Sequence, residues 1–212
     1  GSADTWLWDF GNGNTSTLEN PTTIFSNPGI YNITLTASNA GSNDTEISIG
    51  LIKVYERPVS ELATILPTNG CMPLVVDFVD ISITNNTITN WQWDFGDGGA
   101  SNFQNPNYEY NSDGEFSVSL IVTDINGCQS LSTKVNFIEV YKVPTADFIA
   151  DIPFSCNPNE LVTFTNNTLG AATYAWDFGD GNTSVIDNPI HNYTFGVYSV
   201  MLIAKQGSCT DT

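Results

Sequence analysis

The sequence predicts an all-β chain of tandem immunoglobulin-like sandwiches, seven strands to a complete repeat, set in an extended array. Three observations carry this. Apolar residues recur with period two and nowhere with helical spacing: Phe116, Val118, Leu120 and Val122 alternate along one run, as do Tyr31, Ile33, Leu35 and Ala37, and Tyr198, Val200, Leu202 and Ala204. Thr and Val are plentiful in these runs, and Gly, Asn, Asp and Pro cluster between them. The chain also repeats itself. Trp8-Asp9-Phe10-Gly11-Asn12-Gly13 returns as Trp93-Asp94-Phe95-Gly96-Asp97-Gly98 and as Trp176-Asp177-Phe178-Gly179-Asp180-Gly181, at offsets of 85 and 83 residues.

Two further marker sets keep the same period. Asn20-Pro21, Asn105-Pro106 and Asn188-Pro189 each follow their tryptophan by 12 residues. At the seams, Ile52-Lys53-Val54-Tyr55-Glu56-Arg57-Pro58 matches Ile138-Glu139-Val140-Tyr141-Lys142-Val143-Pro144 at an offset of 86. The repeats are therefore 1–57, 58–143 and 144–212, the first lacking its opening strands and the last its closing strand. Neither terminus reads as a domain boundary, so the chain reads as a window onto a longer array. No signal peptide is visible in residues 1–9.

The strands of the complete repeat follow in order at 59–66, 73–82, 90–96, 101–104, 107–111, 115–125 and 130–141. The first opens after the seam at Pro58. The third carries Trp91, Trp93 and Phe95 on one face, because strand side chains alternate. Their counterparts are Trp6, Trp8 and Phe10, and Tyr174, Trp176 and Phe178, so this aromatic face is expected at the centre of each core. Asp97-Gly98 and Asp180-Gly181 make the tight turn that ends that strand, with Gly at positive φ and Asp bonded to nearby backbone amides; Asn12-Gly13 serves equally well. The Asn-Pro steps start a second turn. Gly114-Glu115-Phe116 opens the long alternating run, and the last strand runs into the seam. About seven short strands per 85 residues suit an immunoglobulin-like sandwich.

Composition excludes several functions. Five Lys plus Arg stand against 23 Asp plus Glu, a formal charge of -18. Such a chain repels phosphate backbones and anionic membrane surfaces, so nucleic acid is not an expected partner. No apolar run reaches the roughly 18 residues of a membrane span, so no membrane insertion is expected. With 41% hydrophobic and 12% aromatic residues there is material for packed cores.

The run Trp-Asp-Phe-Gly-Asp-Gly, then Asn-Pro, then Gly-x-aromatic-x-Val-x-Leu, resembles the polycystic-kidney-disease (PKD) domain, in three copies over essentially the whole chain. Pro189-Ile190-His191-Asn192-Tyr193 is similar to that family's Pro-x-His-x-Tyr pattern. Asn12 and Tyr108 depart from it, which suggests that these positions are structural. The resemblance implies an extracellular β-sandwich used as spacer or interaction module in bacterial surface proteins, as an accessory module of secreted proteases and chitinases, and in polycystins. The Asn/Thr-rich style is similar to repeat arrays of giant bacterial surface adhesins, including those of gliding bacteria.

Candidate chemistry is sparse. His191 is the only histidine, with Ser199, Ser208 and Asp187 near it in sequence, but no nucleophile elbow or Cys-His signature surrounds it. Its sister positions hold Thr23 and Tyr108, so it reads as structural. Asp94/Asp97 and Asp177/Asp180 have the look of a glycosidase pair but recur at a turn, which suits backbone capping. Calcium is a fairer candidate than that pair: Glu61, Asp77, Asp80, Asp147 and Asp151 fall near strand ends or seams, but no dedicated calcium loop exists, and a solvated acidic surface accounts for them better. No other cofactor is indicated. Sequons occur at Asn14, Asn32, Asn43, Asn85, Asn166, Asn182 and Asn192.

The four cysteines lie at matched positions of repeats two and three and point to disulfides. Cys71 and Cys156 precede the second strand; Cys128 and Cys209 follow the sixth. Pairing within repeats would join Cys71 to Cys128 and Cys156 to Cys209. Strand parity favours another pairing. The loop after strand one lies at the far end of a sandwich and the loop after strand six at the near end, roughly 25 Å apart, beyond the roughly 7 Å Cα limit of a disulfide. In an end-to-end array Cys71 would instead meet Cys209 across the seam, and Cys128 and Cys156 would pair with repeats on either side.

The expected function is non-catalytic: an extended spacer or adhesin stalk on a bacterial cell surface or secreted protein, its partners being neighbouring repeats and an unidentified glycan or protein ligand. The alternative is a polymer-binding accessory module of a secreted hydrolase.

Overall fold

The computed structural model describes residues 3–65, 67–152, 154 and 159–212. They form tandem immunoglobulin-like β-sandwich domains built only of strands. By contact the chain divides into two compact units. One comprises Gly1–Val59, Ser82–Asn90 and Val122–Ser130; the other comprises Ser60–Ile81, Trp91–Ile121 and Leu131–Thr212.

In the first unit, repeat one supplies β1 (Thr5–Asp9), β2 (Thr15–Ser16), β3 (Gly29–Asn39) and β4 (Ser42–Val54). They form one sheet in the order β2-β1-β3-β4. Among the described residues no second sheet of repeat one covers it. Its aromatic face is consequently half-dressed: Phe10 and Ile33 are buried, but Trp8 stays partly exposed.

Repeat two supplies β5 (Leu62–Thr64), β6 (Asn69–Cys71), β7 (Leu74–Asp80), β8 (Ile88–Asp94), β9 (Ala100–Ser101), β10 (Asn107–Tyr110), β11 (Gly114–Asp124) and β12 (Gln129–Tyr141). Sheets β10-β7-β5 and β6-β12-β11-β8-β9 enclose the core. Phe78 of β7 reaches across to Trp93 and to Phe95, with ring centroids 5.6 and 5.1 Å apart. Trp93 is 2% exposed and Phe95 0%. Trp91 stays at the margin, its indole N–H donated to Asp80 Oδ2 at 2.6 Å.

Repeat three supplies β13 (Phe148–Ala150), β14 (Glu160–Asn166), β15 (Thr173–Asp177), β16 (Thr183–Ser184), β17 (Ile190–Tyr193), β18 (Met201–Gln206) and β19 (Cys209–Asp211). Sheets β13-β14-β17 and β16-β15-β18-β19 enclose an equivalent core of Val162, Phe164, Trp176, Phe178 and Leu202.

The strand count needs one correction. The opening strand is shorter than 59–66, and an additional segment, β6, pairs parallel with β12 through Asn69 to Glu139, Gly70 to Val140 and Cys71 to Tyr141. The chain crosses from one sheet to the other at this point. Gly70 permits it, since a Cβ there would lie 2.7 Å from Leu74 Cδ1. A three-residue strand flanked by Pro67 and Pro73 carries no alternation, which is why the sequence reads as loop. Cys71 therefore lies on a sheet edge and not in a loop.

Removing a fully enclosed indole leaves a cavity, so Trp93→Ala should cost about 3–5 kcal/mol. Trp8→Ala, at a site already open to water, should cost about 1–2 kcal/mol. Urea unfolding of the two variants checks the ordering, and equal losses would contradict this account of the cores.

Candidate functional site

The feature repeated with the greatest chemical detail is the turn that ends β1, β8 and β15. Each begins with an aspartate whose Oδ1 accepts the N–H two residues on: Asp9 from Gly11 at 2.8 Å, Asp94 from Gly96 at 2.9 Å, Asp177 from Gly179 at 2.9 Å. Those glycines have φ of 68°, 85° and 76°. They also lie against the neighbouring strand. A Cβ on Gly11 would stand 2.6 Å from Asn32 O, and Gly96 and Gly179 meet Ser117 O and Ser199 O in the same way. Glycine is required there twice, for its backbone angle and for its missing side chain.

The second polar residue of each turn caps again. Asn12, Asp97 and Asp180 accept the N–H of Asn14, Gly99 and Asn182 at 3.0, 2.9 and 3.0 Å. What each does with its remaining side-chain atom depends on the residue 15 positions after the tryptophan. In repeat three His191 Nε2 meets Asp180 Oδ2 at 2.7 Å, while the imidazole stacks on Phe178 at 4.1 Å. In repeat two the Tyr108 hydroxyl donates to the Asp97 carboxylate at 2.9 Å, its ring stacked on Phe95 at 3.8 Å. In repeat one Thr23 cannot reach, and the turn carries Asn12, whose Nδ2 donates to Ile24 O at 3.1 Å. A carboxylate there would face a carbonyl with no donor between them, so the amide replaces it.

A third position follows the second. Tyrosine is longer than histidine, and a Cβ at Gly99 would collide with the Tyr108 hydroxyl; repeat three, with the shorter His191, carries Asn182 at the corresponding place. The triads are thus Asn12/Asn14/Thr23, Asp97/Gly99/Tyr108 and Asp180/Asn182/His191. Two more bonds close the site: Tyr110 and Tyr193 donate their hydroxyls to Phe95 O and Phe178 O at 3.0 and 3.1 Å. The sequence reading missed the pairing of positions 99 and 108. Aligning the three repeats column by column would have found it.

Charge follows from these contacts. The hydrogen bond from His191, then that from the Asn182 N–H, hold the Asp180 carboxyl down at about 2. Burial first, and the bond to Asp97 second, push the Tyr108 phenol up to about 12; burial raises Tyr193 to about 12 as well.

The candidate groups are hydrogen-bonded to one another and to the backbone. His191 is committed to Asp180 and to the Phe178 ring, and Asp187 accepts from Asn166 Nδ2 at 2.6 Å and from Asn188 Nδ2 at 3.1 Å. Asp94 and Asp97 spend an oxygen each on backbone amides. The calcium candidates are distributed, not gathered: Asp77 accepts from Asn107, Asp80 from Trp91, Asp151 from the Thr163 N–H, and Glu61 pairs with Lys134 at 3.2 Å. Asp147 is held through its own N–H, donated to Thr168 Oγ1. Among the described residues no three metal-ligating side chains converge.

The cysteines mark the second site. Cys71 is disulfide-bonded to Cys209, with Cα atoms 5.5 Å apart, which joins repeat two to repeat three within one compact unit. Pairing of Cys71 with Cys128, and of Cys156 with Cys209, does not occur. Cys128 stands immediately before β12 and Cys71 pairs with its last residue. The 13 residues of β12, at about 3.3 Å each, separate them by roughly 40 Å. Around the bond, Met72 N–H donates to Tyr141 O at 2.9 Å and Cys209 Sγ lies 3.8 Å from the same oxygen. Gly207 packs where a side chain would strike the Tyr141 ring. Cys128 is a free, partly exposed thiol; Cys156 lies outside the described residues.

Two outcomes follow from the turns. Gly99→Asn should destabilise repeat two by about 1–3 kcal/mol through overpacking. Tyr108→His added to it should recover most of the loss, giving a coupling above about 1 kcal/mol in a double-mutant cycle; additive losses would refute the pairing. The pH limits are also set. A lowered carboxyl stabilises above its unfolded value, so the Asp180 contribution should vanish as pH falls from 3.8 to about 2. Raised phenols stabilise below theirs, so the Tyr108 and Tyr193 contributions should vanish as pH climbs from 10 to about 12. Thermal unfolding against pH, with Asp180→Asn losing the acid limb and Tyr108→Phe part of the alkaline limb, reads both.

Comparison with known proteins bears on this geometry. The family model described as PKD domain matches residues 1–51, 55–140 and 142–212. Human polycystin-1 is 26% identical over 224 residues, spanning 98% of this chain and 5% of its own length. A microbial collagenase of Vibrio alginolyticus is 47% identical over 49 residues, and collagenase ColA of Clostridium perfringens 43% over 53, covering 23% and 24% of this chain and 6% and 5% of theirs. The chain thus spans about a twentieth of the length of the curated relatives it matches. Among solved structures, the PKD1 domain of Vibrio anguillarum Epp and that of the Vibrio cholerae metalloprotease PrtV are each 28% identical with a TM-score of 0.35; both cover 40% of this chain, and it covers 96% and 98% of theirs. Three matches laid end to end over nearly every residue, each holding one copy of the capped aromatic turn, show that the chain belongs to the PKD domain family as a tandem of its repeats.

Proposed function

We propose that this chain is a non-catalytic spacer: a run of PKD repeats that holds other parts of an extracytoplasmic protein away from a surface, as an adhesin stalk does. The observation that carries the reading is the Cys71–Cys209 bond. A covalent link between consecutive repeats, beside a short seam containing Pro144, restricts hinge motion where a flexible tether would place a Gly/Ser-rich linker. Disulfides persist in oxidising compartments, which supports an extracellular location, on a cell surface or secreted. The formal charge of -18 supports it further, since like-charged sheets resist edge-to-edge association.

A second reading has its own support in the two collagenase relatives: an accessory module beside a secreted hydrolase, binding a polymer and leaving the chemistry to another domain. Both readings assign no turnover to these residues.

Small-angle scattering tests the spacer. Three sandwiches in line, each about 30–35 Å long, should span roughly 90–110 Å, against roughly 45 Å for a single 212-residue globule. A maximum dimension near the smaller value ends the stalk reading. Retention of the intact chain on insoluble collagen or chitin, with no retention of the Trp93→Ala variant, would favour the accessory module.

A further inference from the structure

The disulfide decides where tension can run along this chain. Cys71 and Cys209 are 138 positions apart, so their bond closes a covalent loop over residues 72–208. Inside the loop lie β7 to β12 of repeat two and β13 to β18 of repeat three. It therefore encloses Phe78, Trp93 and Phe95 of one core and Phe164, Trp176 and Phe178 of the other. Outside it, repeat one and then β5 and β6 lead up to Cys71, and the chain leaves again from Cys209. Tension that enters anywhere ahead of Cys71 and leaves anywhere beyond Cys209 has a covalent path through two sulfur atoms. Residues 72–208 are slack beside that path.

Pairing across the seam gives the path its reach. A Cys71–Cys128 bond would have enclosed residues 72–127 alone and left every strand of repeat three in line with the pull. Both ends of the path are seated in sheets. On one side Glu139 N–H donates to Thr68 O and Met72 N–H to Tyr141 O, each at 2.9 Å, which holds β6 to β12. On the other side β19 pairs with β18 through Cys209 to Gln206, Thr210 to Lys205 and Asp211 to Ala204, and Asp211 Oδ2 accepts the Ala146 N–H at 2.8 Å. Such hydrogen bonds are individually weak and yield one by one under load, whereas the sulfur pair does not. Repeat one is built differently. All four of its strands lie outside the loop, and it contains no cysteine.

We propose that Cys71–Cys209 is a load-bearing shunt: a pull along the chain passes from repeat one through β5 and β6 into the sulfur pair and out past Cys209, while the aromatic cores of repeats two and three stay folded. The inference rests on the reading of the chain as a stalk and adds a function to it. At rest the bond restricts a hinge; under load it limits extension, because the enclosed residues cannot be drawn out while it is intact. Repeat one is then the part that gives.

Single-molecule stretching of the oxidised 212-residue chain, held by handles fused to its two ends, tests this. Residues 1–71 and 209–212 alone should extend, to at most about 270 Å at roughly 3.6 Å per residue, against about 760 Å for the whole chain. A dithiol reductant is then added at clamped force. Cys71 is partly exposed and Cys209 is 1% exposed, so the reagent's thiolate attacks the Cys71 sulfur. Cys209 leaves as thiolate, and the reagent's second thiol releases Cys71 as the reagent closes into a cyclic disulfide. Each reduction should free up to about 490 Å. Its rate should climb with the clamped force, because only a bond in the path of the tension feels it. Extension of the oxidised chain to the full length, or a reduction rate independent of force, overturns the proposal. A compact dimension in scattering would end the stalk reading and leave both stretching results standing, so the two failures are distinct.

Discussion

Trp93 is almost wholly enclosed, and an enclosed indole N–H must find an acceptor. It finds Phe103 O at 2.9 Å; Trp176 finds Ile186 O at 2.9 Å and Trp8 finds Leu18 O at 3.1 Å. In each repeat that acceptor lies ten residues on, beyond the turn, so one bond dictates how far the chain travels before it returns along the aromatic face. An unpaired buried donor costs about 1–3 kcal/mol, and an indole is also the largest apolar group to bury. The turn, its two caps and the following edge strand are arranged around this requirement. That is why the aspartates and glycines of the motif serve backbone geometry, each aspartate accepting a backbone N–H two residues on.

The turn shows how a fixed backbone bond tolerates different side chains. The second capping residue always satisfies one amide. Its other atom is matched to the partner available: a carboxylate where histidine or tyrosine can donate, an amide where threonine cannot. The only histidine takes part in this matching, as a hydrogen-bond partner of the second capping residue beside an aromatic stack. The imidazole face lies on Phe178 and its Nε2 meets Asp180, which ties the end of the turn to the aromatic face.

The disulfide belongs to another level of organisation. Within one repeat β12 keeps the two cysteines at opposite ends. Between repeats the short seam returns a hairpin to the strand β6, and there the cysteines meet. The bond lies beside the close Gly207–Tyr141 contact and the Met72 N–H to Tyr141 O bond, which sit at the same seam.

Much of this was legible in the residues alone. The period, the strand alternation of Phe116 to Val122 and the tryptophan-centred face follow from side chains that must point to one side of a sheet, a local rule that any strand obeys. The roles of Asp97 and Gly98 at the turn follow from φ and from the reach of a carboxylate to an amide two residues away. Other features required the folded chain. The β6 segment has no pattern of its own; its parallel pairing exists because β12 offers an unfilled edge once the sheets have closed. The match of Gly99 to Tyr108 is a contact across nine residues and two strands, set by the length of a phenol. The open face around Trp8 depends on whether a second sheet is there to cover it. Local conformation is written in neighbouring residues, whereas which edge is free, which donor is in reach and which thiols meet depend on distances that only the packed sheets define.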